Sequence, residues 1–566
     1  MKKYAELWTE QGRNITSRPW QEYPRPTLKR DSFFSLNGYW DFAVTDKNKD
    51  PENYDRRILV PFAPETLLSG IHEVFGEDKT LCYRKTFSLP EDFLRTRTIL
   101  HFGAADQTAE VFFNGTRLGS HTGGYFPFSF DVTQLLKPEN TVTVRVTDEL
   151  SRHIQPYGKQ RRKRGGMWYT PVSGIWQTVW LESVPEEYIR SADIKTEGNR
   201  VSMVFDGVRT GTVSVVTPEG RLSIPFSDGC AEFEVADPQL WSPESPYLYR
   251  ATVESGQDRI ETYFAFRTLE IKTVGGFPRL CLNGKPYFFH GVLDQGYYSD
   301  GLFTPATPVL YRKDILKMKE LGFNTLRKHI KVEPELFYYA CDELGMIVFQ
   351  DMVNNGKYSF FRDTALPTVG IKKLDDRRMH RNPQTRKAFT VAMEQTMQMT
   401  DKHPSVCYYT IFNEGWGQFD GQSMYRKAKS ADSSRFTDTA SGWFRGADSD
   451  VESIHIYFRP VVIPESDKPI VLSEFGGYSY KPEGHVFNEE KTYGYRFFSD
   501  RNEFMDELEK LYLEKIIPAK EKGLCAAIYT QLSDVEDETN GLLSYDRAVC
   551  KVDGERMRAI AERLKE

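Results

Sequence analysis

Two glutamates stand out by their setting. Glu414 ends the run Ile411-Phe412-Asn413-Glu414-Gly415-Trp416, and Glu474 falls within Val471-Leu472-Ser473-Glu474-Phe475-Gly476-Gly477. Each follows an apolar stretch and is soon followed by glycine, which places its carboxylate where a strand gives way to a loop, desolvated on one side. Two carboxyls facing each other across a cleft suit glycoside hydrolysis. One protonates the departing oxygen while the other attacks, or directs water at, the anomeric carbon. The competing reading is two unrelated strand-end carboxylates that cap neighbouring helices.

The elements that must position such a pair follow from the texture of the chain. Beyond Ile271, apolar strand-like runs recur at Phe288–Leu293, Thr325–Arg327, Met346–Phe349, Val406–Phe412, Phe436–Ala440, Ile454–Tyr457, Ile470–Ser473 and Ala526–Gln531. Amphipathic segments such as Val309–Leu321 and Glu503–Lys522 lie between several of them. Eight strands with intervening helices predict a (β/α)8 TIM barrel, with an open doubly wound sheet as the alternative. In a barrel, strands 4 and 7 come from opposite sides, so Glu414 and Glu474 can face one another. No G-x-G-x-x-G follows any of these strands and no G-x-x-x-x-G-K-[ST] occurs, so dinucleotide and P-loop chemistry lose support and no cofactor is expected.

Before Ile271 the pattern is different. Runs such as Glu110-Val111-Phe112-Phe113-Asn114-Gly115 and Thr141-Val142-Thr143-Val144-Arg145-Val146 alternate with period two and are punctuated by Asn-Gly turns. Many such strands without helices predict a sandwich or barrel. Val184-Pro185-Glu186-Glu187 is a plausible seam, and the strands from Tyr188 to about Leu269 suit an immunoglobulin-like sandwich. The expected domains are 1–184, 185–270 and 271–566.

Composition narrows the function. The chain has 566 residues, 74 Lys+Arg against 80 Asp+Glu, and a net charge of −6, so nothing draws it to nucleic acid or anionic membranes. Seven cysteines without any C-x-x-C read as reduced, buried thiols. The stretch Met1–Glu10 opens with Lys2-Lys3, but Glu6 and Glu10 interrupt any secretion-signal core, and no apolar run is long enough to span a bilayer. The expectation is a soluble cytoplasmic protein; a homo-oligomer is compatible with the sequence.

Asn413-Glu414 after His403-Pro404-Ser405-Val406, together with Ser473-Glu474-Phe475-Gly476, resembles the acid/base and nucleophile motifs of glycoside hydrolase family 2, which includes β-galactosidases, β-glucuronidases and β-mannosidases. The resemblance covers nearly the whole chain. Ser35-Leu36-Asn37-Gly38-Tyr39-Trp40-Asp41-Phe42 looks like the opening of that family's jelly-roll domain, and Val111-Phe112-Phe113-Asn114-Gly115 and Gly174–Glu182 are similar to its later strands. Asn283-Gly284-Lys285-Pro286 followed by His290-Gly291-Val292 looks like its entry into the barrel. The resemblance implies a retaining mechanism with Glu414 as general acid/base and Glu474 as nucleophile. It implies that Asn413 bonds the hydroxyl next to the anomeric carbon, that Arg327 keeps the nucleophile ionised, and that Tyr457 orients it. His455 and Tyr457 resemble the family's strand-6 pair, and Trp443 after strand 5 is placed to stack on a sugar face.

The sequence also departs from the family. After strand 1 it carries Gly291-Val292-Leu293-Asp294-Gln295-Gly296, so Asp294 is the expected sugar contact where other residue types are usual. Arg327 is followed by Lys328-His329-Ile330-Lys331, which puts His329 in or out of its usual role. The Asn-x-Lys motif by which the family's glucuronidases read a carboxylate is missing beyond strand 8. The run there is Gln531-Leu532-Ser533-Asp534-Val535-Glu536-Asp537-Glu538, whose acids would repel an anionic sugar. Asp351, at the end of strand 3, is a further substrate-binding candidate; as metal ligands, Asp351, Asp534, Glu536 and Asp537 lack the spacing and read as surface acids, so no metal is expected. Lys159-Gln160-Arg161-Arg162-Lys163-Arg164-Gly165-Gly166 reads as a solvated loop, or more sharply as a loop that reaches the barrel mouth. The leading expectation is a retaining exo-β-glycosidase acting on an oligosaccharide or glycoside, a β-galactosidase first. The alternatives are β-glucuronidase, β-mannosidase, arabinosidase or galacturonidase activity. A catalytically silent carbohydrate-binding protein and a metal-dependent barrel hydrolase are the competing classes.

Overall fold

Alternating burial organises the N-terminal third. Asn140–Thr147 buries every second residue, and its neighbours Lys79–Phe87 and Thr108–Phe113 pair with it in an antiparallel six-stranded sheet. A four-stranded sheet built on Val179–Val184 and Arg97–Phe102 lies opposite, and Trp40, Phe42, Leu100, Phe102, Val111, Val144 and Leu181 fill the space between. The hairpin after Phe113 turns on Asn114 and Gly115, both at positive φ (50° and 84°), the geometry that an Asn-Gly pair supplies most readily. This computed structural model describes residues 4–47, 49–368, 375–457 and 460–565; Met1–Lys3 of the N-terminal stretch considered above lie outside the described residues.

A second, smaller sandwich follows. Its sheets have three strands (between Ser191 and Glu234) and four strands (between Gly211 and Phe264), all antiparallel, around Val201, Met203, Val213, Val215, Val253 and Ile260. The hairpin Leu269–Val274 with Phe277–Leu282 then leads into the barrel.

The barrel strands are β1 (Phe289–Asp294), β2 (Thr325–Lys328), β3 (Ile347–Asp351), β4 (Val406–Asn413), β5 (Phe436–Ser441), β6 (Glu452–Ile456), β7 (Ile470–Gly476) and β8 (Leu524–Thr530). They form one parallel eight-stranded sheet in the order 5-4-3-2-1-8-7-6, a nearly closed barrel with β5 and β6 at its two ends. The Ser441 and Ser453 hydroxyls, 3.3 Å apart, link those ends. Every residue of β1, β2, β3, β4, β5, β7 and β8 is buried, as expected of strands covered on both faces. Helices such as α1 (Val309–Glu320) and α2 (Glu335–Leu344) pack outside β1–β3 through Leu310, Ile315, Met318, Phe337 and Cys341. The TIM barrel and the two preceding β-sandwiches are thus the predicted fold class. No helix among the described residues is long and apolar enough to cross a membrane.

Candidate active site

The ends of β4 and β7 bring the two glutamates together. One carboxylate oxygen of Glu414, one of Glu474 and a ring nitrogen of His455 all lie within 4.8 Å of one another. Glu414 sits in the left-handed region at φ 51°, and its amide donates to the Ser441 carbonyl at 2.9 Å. Gly415 follows at φ 75°, where an added Cβ would stand 2.4 Å from the Phe444 ring. The chain therefore turns sharply right after β4, a cost of about 1–2 kcal/mol for a non-glycine residue that presents Glu414 at the mouth.

Arg327 on β2 organises the inner wall. Fully buried, it donates from Nη1 to Glu474 Oε1 (3.0 Å) and the Ser473 carbonyl (2.9 Å), from Nε to Asp351 Oδ1 (2.9 Å) and from Nη2 to Asn413 Oδ1 (2.9 Å). Burial works against its charge, but Asp351 and Glu474 more than offset that and raise its pKa. The Tyr457 hydroxyl donates to Glu474 Oε2 and lies 3.1 Å from Thr530 Oγ1. Tyr457 is held by a stacked Tyr495, ring centroids 3.7 Å apart. Burial alone would push the Glu474 carboxyl up; His455, Arg327 and the Tyr457 hydroxyl overcome it and bring it down to about 2.

Glu414 has a different partner. His455 Nδ1 lies 2.9 Å from Glu414 Oε1, while Nε2 lies 2.7 Å from Ser441 Oγ and 3.7 Å from Glu474 Oε1. Ser441 Oγ continues to Ser473 Oγ (2.9 Å) and Ser473 to Ser453 Oγ (2.7 Å), a buried hydroxyl cluster beneath the imidazole. Trp443 is half-buried, its ring 5.8 Å from that of His455. His329 Nδ1 lies 2.7 Å from Asp351 Oδ2. Burial lowers the His329 pKa, only partly countered by Asp351; burial raises Asp351, but Arg327 and His329 bring it below the ordinary carboxylate range.

Of the ten residues singled out in the sequence, nine therefore lie in or beside one connected site: Glu414, Glu474, Asn413, Arg327, His329, Tyr457, His455, Trp443 and Asp351. Asp294 does not join them. Its carboxylate accepts from Lys328 Nζ at 2.5 Å and from the Gly296 amide at 2.8 Å, and Lys328 in turn donates to Glu333 at 2.9 Å. Period-two alternation along β2 explains this: with Arg327 facing the barrel interior, Lys328 and its β1 register partner Asp294 face the helix layer.

Three expectations need correction. Asp351, Asp534, Glu536 and Asp537 are buried, not surface acids. Lys551 Nζ donates to Asp534 at 2.5 Å, Arg164 donates to Glu536 (3.1 Å) and Asp537 (3.3 Å), and the Tyr169 hydroxyl donates to Glu538. The acids after β8 are thus held by two cations and a tyrosine hydroxyl, which reduces their repulsion of an anionic sugar. The loop 159–166 is also not simply solvated. Lys159 and Gln160 are buried, and the loop packs over the barrel mouth through Arg164.

The sequence reading missed Trp168, Trp416, Tyr358 and Tyr495. Trp168 and Trp416 stack at 5.3 Å, and Tyr358 meets both edge-on at 5.1 and 5.7 Å. Trp416 carried a signal, two residues after Glu414; Tyr495 carried none, because its contact with Tyr457 is set by a long loop.

Known proteins resemble this chain in sequence and fold. Residues 276–490 match the family described as "Glycosyl hydrolases family 2, TIM barrel domain", residues 71–173 "Glycosyl hydrolase 2 galactose-binding domain-like" and residues 186–267 "Glycosyl hydrolases family 2". A putative beta-glucuronidase of Formosa agariphila is 32% identical over 297 residues, 48% of this chain and 27% of that protein. A beta-galactosidase of Thermoanaerobacter pseudethanolicus is 27% identical over 355 residues, 56% of this chain and 46% of that protein. The chain spans less than half the length of these relatives. The beta-D-glucuronidase structure from Dictyoglomus thermophilum has the same fold, with a TM-score of 0.72 at 17% identity over 96% of this chain and 98% of that one. A GH2 beta-galacturonidase from Eisenbergiella tayi gives 0.68 at 19% over 97% and 98%. With three successive segments matched in family order, the chain belongs to glycoside hydrolase family 2.

Proposed function

We propose that this glycosidase is a retaining exo-β-glycosidase that releases a terminal β-linked sugar by double displacement. The observation that carries the reading is the unequal treatment of two carboxylates held within 4.8 Å. Arg327 and the Tyr457 hydroxyl keep Glu474 ionised, whereas Glu414 faces the His455 ring. Ionised Glu474 attacks the anomeric carbon while Glu414 gives its proton to the departing oxygen. Glu414, now a carboxylate, then takes a proton from the water that releases the sugar. Asn413, fixed by Arg327 Nη2, is positioned to bond the neighbouring hydroxyl as charge develops. The close approach favours retention, for which carboxyls lie about 5–5.5 Å apart, over inversion, which needs roughly 6.5–9.5 Å.

Closure of one side of the mouth by the first domain's loop supports exo action. A β-galactoside is the first neutral substrate to expect, supported by the names of several relatives. The seven free thiols support a reducing, cytoplasmic setting. Turnover of a panel of aryl β-glycosides, followed by proton NMR, tests the reading. The first-formed sugar should be the β-anomer, and first appearance of the α-anomer would overturn double displacement.

A further inference from the structure

The loop 159–166 supplies five cationic side chains, and they are not equally matched. Arg164 pairs with Glu536 and Asp537; Arg162 lies 3.5 Å from Glu77 and 3.6 Å from Asp148; Lys163 is exposed. Lys159 and Arg161 have no acidic partner among the described residues. Lys159 is nevertheless only 7% exposed. Its ammonium lies 5.5 Å from the Tyr169 ring and 5.8 Å from the Trp416 ring, and it has no hydrogen-bond acceptor among the described residues. The Arg161 guanidinium lies over Trp168 at 3.7 Å and near Tyr358 at 5.1 Å.

The backbone fixes where this ammonium stands. The Tyr157 amide donates to the Asn354 carbonyl, just past β3, at 3.0 Å. Gly158, at φ 64°, lies so close to the loop after β2 that an added Cβ would be 2.8 Å from the Ile330 carbonyl oxygen. Lys159 therefore enters the mouth beside the ends of β2 and β3 and against Trp416, two residues past Glu414. Its charge acts on His329, the partner of Asp351 and thus a neighbour of the Arg327–Glu474 pair.

The aromatic rings beside this largely buried lysine replace hydration of its ammonium incompletely. Arg327 is committed to Asp351 and Glu474, Arg164 to Glu536 and Asp537, and Lys551 to Asp534, so none of these three cations is free for a ligand. The positive charge of Lys159 is one that no carboxylate among the described residues meets. A neutral sugar would leave it unmet, whereas a carboxylate would form a charge-assisted hydrogen bond in a site of low dielectric.

We infer that Lys159, reaching in from the first sandwich domain, is a specificity-determining residue that binds a carboxylate on the terminal sugar, so that the preferred substrates are β-uronides. This rests on the glycosidase reading above and narrows its substrate. Arg161 lies one alternate residue further along the loop and adds positive potential at the same mouth.

The test compares nitrophenyl β-galactoside with β-galacturonide, and β-glucoside with β-glucuronide, pairs that differ only at C6. It uses the full chain, Lys159→Met and Lys159→Arg, with free galacturonate and glucuronate titrated calorimetrically against each. The wild type should prefer at least one uronide over its neutral counterpart by more than tenfold. Lys159→Met should lose roughly 30- to 100-fold in kcat/KM on that uronide, mostly through KM, and change less than about threefold on the neutral sugar. Lys159→Arg should keep much of the preference. A wild type that prefers the neutral sugar, or a Lys159→Met that weakens both members of a pair equally, overturns the inference and leaves the glycosidase reading standing. Lys159-dependent uronate binding without turnover of any glycoside would do the reverse. Should Lys159→Met fail to fold, the wild-type preference and calorimetry decide alone.

Discussion

His455 Nδ1 lies 2.9 Å from Glu414 Oε1. The Ser441 hydroxyl lies 2.7 Å from Nε2 and can donate to it or accept from it, which sets the role left to Nδ1. When Ser441 donates to Nε2, Nδ1–H donates to Glu414 and stabilises its carboxylate, the state needed after proton transfer to the leaving group. His455 is thus a positioning residue for the acid/base, not simply a sugar contact.

Replacing it should therefore act on proton transfer. His455→Ala is expected to lower kcat/KM about 100-fold for alkyl glycosides, whose leaving groups need a proton, and less than tenfold for dinitrophenyl glycosides. Ser441→Ala should show the same pattern more weakly. A leaving-group series on both variants reads it, and equal losses across the series would remove His455 from the acid/base step.

Glu474 should stay ionised far into acid. With its pKa brought down to about 2, the acid limb of kcat/KM should lie well below the ordinary glutamate value of about 4.3. Tyr457→Phe removes one hydrogen bond to the carboxylate and should shift that limb upward while lowering kcat. The stability sign follows: a folded pKa below the unfolded one contributes stability present above about pH 4.3 and lost as pH falls towards 2. Unfolding of the wild type and Glu474→Gln between pH 5 and 2 measures it, with a shallower pH slope expected for the variant.

Arg164 ties the first domain to the loop after β8. Arg164→Ala leaves Glu536 and Asp537 buried without their cation, and should destabilise the protein by about 1–3 kcal/mol. Because the same loop carries Lys159, KM should rise more than kcat falls. Thermal unfolding and steady-state kinetics, with partial rescue by Arg164→Lys, check both effects.

Much of this was legible in the sequence because local rules and tertiary structure agree. The apolar runs ending at Asn413 and Ser473 are strands buried on both faces, so periodicity located β4 and β7 and hence their glutamates. Asp294 was misread because one step in strand alternation turns a side chain from the mouth to the helix layer, and the residue types alone do not show which way it faces. Glu536, Asp537 and Arg164 looked solvated because they lie more than 300 residues apart in the chain and pair only once the domains pack. The Trp168–Trp416 stack is hidden for the same reason.

The central claim, that Glu474 is the nucleophile and Glu414 the acid/base, is tested most directly by azide products of the two alanine variants. With an activated aryl glycoside of a sugar the wild type accepts, Glu414→Ala should give a burst of aryl alcohol and a slow steady state that azide accelerates, yielding the β-glycosyl azide. Glu474→Ala should give no burst, and azide entering the vacated space should yield the α-azide. The opposite stereochemistry in the two variants, or near-wild-type rates in both without azide, would contradict the assignment.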